Sequence, residues 1–349
     1  MKKIFIIALM AACALLALSC SKIIEFKGDQ VEEKLVLFAE ARPGEPFTVN
    51  LSHSVFFLDA YQGYDKYIRH INADSCRVEV SFNGGKPVSM TYLPGEEPDP
   101  YFFQVGTLTY VCNCIPSAGD EIEVSVSAPG YDPVKASVSV PRQPQAVIRS
   151  HSVTDTVSYD YYSSVKHNIT LEINDPGQYS KYYRLNALQV YKDPSTAEVT
   201  VYGIFPVYSS DPVFISTSSD LYGIIDNIET IEGGESERKV PDFFSDQLFF
   251  GGSYSLTFNF TRSEYSYDPT IGYEARKAVR RAAADLPYGE SLAILLRAVT
   301  PGTYYYLSSR DNTGGDFALF AEGSVIYSNV EGGYGALCAG ADAFFVLED

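Results

Sequence analysis

The sequence predicts a mainly β protein: an immunoglobulin-like β-sandwich followed by a larger β-rich domain with one or two short helices. Three observations predict it. Short segments alternate apolar and polar residues, as half-buried strands do. Turn pairs separate them, at Pro43-Gly44, Asn83-Gly84, Pro94-Gly95, Pro129-Gly130 and Pro176-Gly177. Tyrosine and phenylalanine are abundant, with 27 and 21 copies and no tryptophan; aromatic and β-branched residues fit a pleated surface better than a helix.

The strands can be taken in order. Leu35-Val36-Leu37-Phe38 opens the folded part, and Arg42-Pro43-Gly44-Glu45-Pro46 turns it into Phe47-Thr48-Val49-Asn50-Leu51. Arg77 to Phe82 alternates and ends at Asn83-Gly84-Gly85, a hairpin signal. Glu121 to Val126 alternates again, turns at Ala128-Pro129-Gly130-Tyr131, and resumes at Val134, Ala136, Val138 and Val140. Unequal intervals exclude a repeat array. Pro141-Arg142-Gln143-Pro144 closes this region, so residues 34–143 are expected to form the sandwich and 144–349 the second domain. There, strands are expected over 165–173, 182–191, 199–205, 254–260 and 292–299. Good helix formers fill Ala275 to Asp285, and Thr300-Pro301 reads as the cap and first residue of a helix through Ser309.

The N-terminus is read differently. Met1-Lys2-Lys3 precedes 15 uncharged residues, Ile4 to Leu18, and then Ser19-Cys20. This is the three-zone layout of a secretory signal peptide, and the run is short for a membrane span. Leu16-Ala17-Leu18-Ser19-Cys20 resembles the lipobox of bacterial lipoproteins. The expectation is a signal peptide over 1–19, lipid on Cys20, and a tether over 20–33. Two or more acyl chains, at ~0.8 kcal/mol per buried methylene, anchor stably. An ordinary secreted protein with an incidental Cys20 is the alternative.

Net charge is −18, and the loss of Lys2 and Lys3 with the leader takes it to −20. A body so charged repels polyanions, which excludes nucleic acid as a partner. No metal and no cofactor are expected. His53, His70, His151 and His167 include no pair at helix-face spacing. No nucleophile elbow, zinc-protease motif, phosphate loop or dinucleotide fingerprint occurs, and no catalytic residue is assigned. Beyond Cys13 and Cys20 the cysteines are Cys76, Cys112, Cys114 and Cys338. An exported chain can hold disulfides. Cys112 and Cys114 point the same way on a strand, and a bridge between them is expected to be strained. A bridge from Cys76 to one of them is the favoured pairing. It would close 35 or 37 intervening residues, worth about 3–4 kcal/mol in a chain-entropy account. Four reduced, buried thiols remain the alternative. Tyrosines cluster at 159–162, 182–183, 265–273 and 304–306. Such clusters make contact surfaces when exposed and cross-strand packing when buried.

An ordered set of segments resembles the Bacteroidetes lipoprotein family catalogued as domain of unknown function 4249. It begins with Ile24-Glu25-Phe26-Lys27-Gly28, then Lys34-Leu35-Val36-Leu37, Pro43-Gly44-Glu45-Pro46, Leu51-Ser52-His53-Ser54 and Leu58-Asp59-Ala60. Val126 to Tyr131, Asp242 to Phe249 and Val325 to Gly335 complete it. The resemblance implies an immunoglobulin-like domain before a β-rich one. It also implies attachment to the outer membrane, more on the cell surface than on the periplasmic face, and the company of TonB-dependent transporters. An accessory or substrate-capture role in nutrient uptake follows from it. A fimbrial-type adhesin and a glycan-active enzyme are the alternatives. Two departures stand out. The first acid after Cys20 is Glu25, and Cys338 sits where the resemblance leads one to expect glycine or an apolar residue.

Overall fold

A computed structural model of the chain describes residues 32–54, 71–94, 107–159, 162–177, 181–215, 238–240, 243–263, 278–280, 282–284, 286–311 and 326–347. The leader and Cys20, the Leu58-Asp59-Ala60 segment, and the whole tyrosine run at 265–273 lie outside them.

The first strands are β1 (Leu35–Ala41), β2 (Phe47–His53), β3 (Arg77–Phe82), β4 (Val88–Ser89), β5 (Thr91–Tyr92), β6 (Leu108–Cys112), β7 (Glu121–Ser127) and β8 (Val134–Ser139). Then come β9 (Gln145–Tyr159), β10 (Tyr162–Asn174), β11 (Tyr182–Lys192), β12 (Val199–Phe205) and β13 (Tyr208–Ser209). The last are β14 (Arg238–Lys239), β15 (Phe243–Ser245), β16 (Ser253–Ser263), β17 (Gly289–Val299) and β18 (Tyr334–Leu347). Helices α1 (Pro212–Ile215) and α2 (Pro301–Asp311) are short. The protein is mainly β, as its alternation predicts. The hairpin signal after β3 is realised: Asn83 and Gly84 both take left-handed φ, at 53° and 66°, and β4 returns antiparallel to β3. Of the helix expected over 275–285, residues 278–280 are α-helical and 282–284 form a 3-10 turn.

Three sheets form. The largest runs β12-β11-β17-β18-β1-β2-β6-β5, with β15 also paired to β11. The others are β14-β13-β16-β10-β9 and β4-β3-β7-β8. Pro141 to Pro144, the segment expected to separate two domains, leads from β8 to β9. The large sheet takes strands from both sides of it, and residues 33–349 form one compact unit.

Two apolar cores lie between the layers. Leu35, Leu37, Val49 and Leu51 of the large sheet face Val78, Val80, Val124 and Val126 of the four-stranded sheet. Leu185, Ala187, Ile294 and Leu296, farther along the large sheet, face Leu171, Leu256, Phe258 and Phe260 of the five-stranded sheet. The other face of β11, β17 and β18 is covered too. Val279 and Leu286 pack on Leu188, Val190 and Leu295, and α2 packs on Val299, Ala336 and Cys338. Burial on both faces explains why β17 and β18 read as almost unbroken apolar runs.

β18 joins the chain's end to its beginning. It pairs antiparallel with β17 and parallel with β1, whose other edge holds β2. A buried ion network lies across this junction. Arg297 faces Asp342 in the ladder, and its Nε donates to Oδ1 at 2.6 Å. Its Nη1 donates to Glu40 Oε1 at 3.4 Å, and Arg42 Nη2 donates to Glu40 Oε2 at 2.6 Å. Both guanidinium groups are buried, and each meets a carboxylate.

Candidate functional site

Helix α2 sets a tyrosine face on the outer side of the large sheet. Thr300 caps it: Thr303 N–H donates to Thr300 Oγ1 at 3.4 Å, and Pro301 supplies the preset φ of a first helical residue. Ala339 N–H donates to Thr303 Oγ1 at 2.9 Å, tying the helix to β18. Tyr306 and Leu307 turn inward onto Val299, Ala336 and Cys338. Tyr305 turns outward and is 47% exposed.

Strand alternation brings the second element. Tyr183 enters the core, so its neighbour Tyr182 must face α2. The Tyr182 and Tyr304 rings stack at 3.9 Å and 4°. Phe243 meets Tyr304 edge-on at 5.5 Å, with the Arg184 guanidinium 5.1 Å from the Phe243 ring. Tyr305 lies 6.1 Å from Tyr182 and 5.6 Å from Tyr327, which is 37% exposed. Tyr327 is placed by its N–H, which donates to Ser309 Oγ at 2.9 Å. Burial, and then the hydrogen bond with the Tyr305 hydroxyl, push the Tyr182 phenol well above the usual tyrosine range. The Tyr182 phenol therefore stays protonated, and the face is rich in hydroxyl groups. Such rings give large contact area for few lost rotors.

A buried charged cluster begins one residue away. Lys181 pairs with Asp175, and the backbone N–H of Lys181 donates to Asp246 Oδ2 at 2.8 Å. Burial, reinforced by the adjoining Asp175 carboxyl and opposed by Lys181, pushes the Asp246 carboxyl up to about 6.

The other residues singled out in the sequence are dispersed. Cys20 lies outside the described residues. The structure bonds Cys112 to Cys114, whose Cα atoms are 5.0 Å apart, and leaves Cys76 a thiol. This differs from the favoured pairing. Cys76 Sγ instead donates to Asn72 O at 3.4 Å, while Cys112 closes β6 and Cys114 N–H donates to Cys112 Sγ at 3.1 Å. Burial raises the Cys76 thiol, only partly opposed by its bond with Tyr110, so it is a weak nucleophile. Cys338 is buried beneath α2.

His151 and His167, on β9 and β10, approach to 3.0 Å, and His167 stacks on Phe260. No three of the histidine, cysteine and acidic groups among the described residues converge as a metal would need. No helix among them is long and apolar enough to cross a membrane. Two tyrosine clusters legible in the sequence, at 182–183 and 304–306, thus meet at one face. Tyr327 and the Asp175–Lys181–Asp246 cluster were not foreseen.

No curated protein matches this chain. The family model described as Domain of unknown function (DUF4249) matches residues 22–343, which spans all three sheets, and the chain belongs to that family.

Proposed function

We propose that the protein is a non-enzymatic lipoprotein of the outer membrane, held by acylated Cys20 and facing the cell exterior. In this reading it is an accessory or substrate-capture partner of a TonB-dependent nutrient transporter. The observation that carries the contact role is the tyrosine face. Tyr305 and Tyr327 stand exposed on a base of packed aromatic rings, which is the composition of a protein contact centre. The lipobox-like run ending at Cys20 supports the anchor. The first core, with the four-stranded sheet on β1, β2 and β6, is read as the immunoglobulin-like sandwich.

A tagged protein recovered from detergent-solubilised native outer membranes, with its companions identified by mass spectrometry, tests the proposal. A TonB-dependent transporter is expected at near-stoichiometric yield. The double substitution Tyr305→Ala, Tyr327→Ala is expected to cut its recovery about tenfold or more, with the variant still folded. Recovery of the protein alone, or only as its own multimers, overturns the accessory role and favours a free-standing binder or an adhesin.

A further inference from the structure

Asp175, Lys181 and Asp246 come from two connections that close one end of the second core. Asp175 follows β10, Lys181 precedes β11, and Asp246 opens the turn from β15 to β16. All three are buried, at 5%, 3% and 1% exposure. They lock the two connections together. Lys181 N–H donates to Asp246 Oδ2 at 2.8 Å, and Asp246 N–H returns a bond to Lys181 O at 3.2 Å. Gly177 N–H donates to Asp175 Oδ1 at 2.9 Å, and Asp175 N–H donates to Gly252 O at 2.8 Å. The backbones nearly touch, since a Cβ on Gly177 would lie 2.6 Å from Gly251 Cα.

Among the described residues, the charge count is unbalanced. Two carboxyl groups adjoin the Lys181 ammonium, which pairs with Asp175. With both carboxyls ionised, like charges abut in a buried site where screening is weak. A single proton taken from solvent onto Asp246 changes that contact from repulsion to a hydrogen bond toward Asp175. Among the described residues, the titratable groups that face Asp246 are Asp175, Lys181 and the Tyr182 phenol, which stays neutral. The turn that Asp246 opens carries two exposed apolar side chains, Leu248 and Phe250, each 50% exposed, and it starts at the residue after Ser245, the ladder partner of Tyr182.

We propose that Asp175, Lys181 and Asp246 form a proton-operated clasp that holds the turn 246–252, with Leu248 and Phe250, tighter in mild acid than at neutral pH. Its bearing on partner contact rests on the reading of the tyrosine face given above; the clasp itself does not. In an unfolded chain the Asp246 carboxyl ionises near 3.8, and in the fold at about 6. The folded chain thus keeps a proton that the unfolded chain has lost. That advantage is complete below the lower value and disappears as pH rises through the upper one.

Hydrogen–deuterium exchange of peptides covering 243–253, corrected for the intrinsic pH dependence, tests this in the full mature chain at pH 5 and pH 7.5. Protection of the turn is expected to fall about tenfold or more between the two. Asp246→Asn keeps an acceptor for Lys181 N–H and a permanent donor toward Asp175, so its protection should be the same at both. Asp175→Asn removes the imbalance from the other side and should also flatten the profile, which guards against a folding failure of the first variant. Equal protection of the wild type at both pH values, or superimposable profiles of wild type and Asp246→Asn, overturns the clasp. The readout uses no partner, so a failed recovery of a transporter and a failed clasp are separate results.

Discussion

Single residues decide where the chain's end can meet its beginning. Gly335 has φ +108°, a region that strains any other residue, and a Cβ there would overlap Leu37 O on β1. Gly333 is tight too, with Leu35 O at 2.5 Å from an added Cβ. The Glu331-Gly332-Gly333-Tyr334-Gly335 segment is therefore the doorway through which β18 enters beside β1. Gly335→Ala is expected to cost about 3 kcal/mol or more, from strained φ and overlap together, measured by denaturant unfolding. A substitution that cost under 1 kcal/mol would mean that β1 and β18 are not so close. Glycines on a turn tip, such as Gly84, have nothing within 4 Å of an added Cβ, so the same change there acts through φ alone.

Among elements, the strands legible in the sequence were those with one face wet. β3 and β12 match their expected ranges because apolar and polar residues alternate along them. β18 was not anticipated. Its Ala336 to Ala343 stretch is small and buried on both faces, so it carries neither alternation nor strong strand formers. Two charges inside apolar text were a signal that could have been used: Arg297 in Leu295-Leu296-Arg297-Ala298 and Asp342 in Ala341-Asp342-Ala343. A charge in such a run needs a buried partner, and the β17–β18 register supplies it. Arg297→Met alone is expected to cost about 3 kcal/mol, because buried Asp342 loses its close partner and keeps only Arg42, 3.8 Å away, while Glu40 retains its pair with Arg42. Joined to Asp342→Leu, the loss should be smaller than the sum of the single losses, as a double-mutant cycle would report. Strict additivity would deny the coupling. The tyrosine face was half legible for a related reason. Local clustering shows at 182–183 and 304–306, but their meeting with Tyr327 depends on how α2 lies on the sheet. Likewise Asp175, Lys181 and Asp246 span 71 residues in the chain, and only the packing of two turns unites them.

For the whole molecule, the order β17-β18-β1-β2 makes folding depend on contacts between the two ends of the described chain. Such pairings close long loops before they return any energy, which slows folding. Removing 334–349 would strip the partner from one edge of β1 and from one edge of β17, and would expose Leu292, Ile294 and Leu296. That truncation is expected to yield no cooperatively folded protein, as thermal unfolding followed by circular dichroism would show. A sharp transition near that of the full chain would refute the dependence.

The same placement of β1 has a mechanical meaning. β1, the first strand among the described residues, is gripped along both edges, by β2 and β18. Under the anchoring at Cys20 proposed above, a pull from the N-terminal side would load β1 along its own axis. The rungs of both ladders bear that load side by side and must yield together, where a strand peeled from a sheet edge gives way one rung at a time. Resistance to such a pull is set by the rate of unfolding and not by equilibrium stability, so under the proposed anchoring the first strand to feel drag is one held by two ladders.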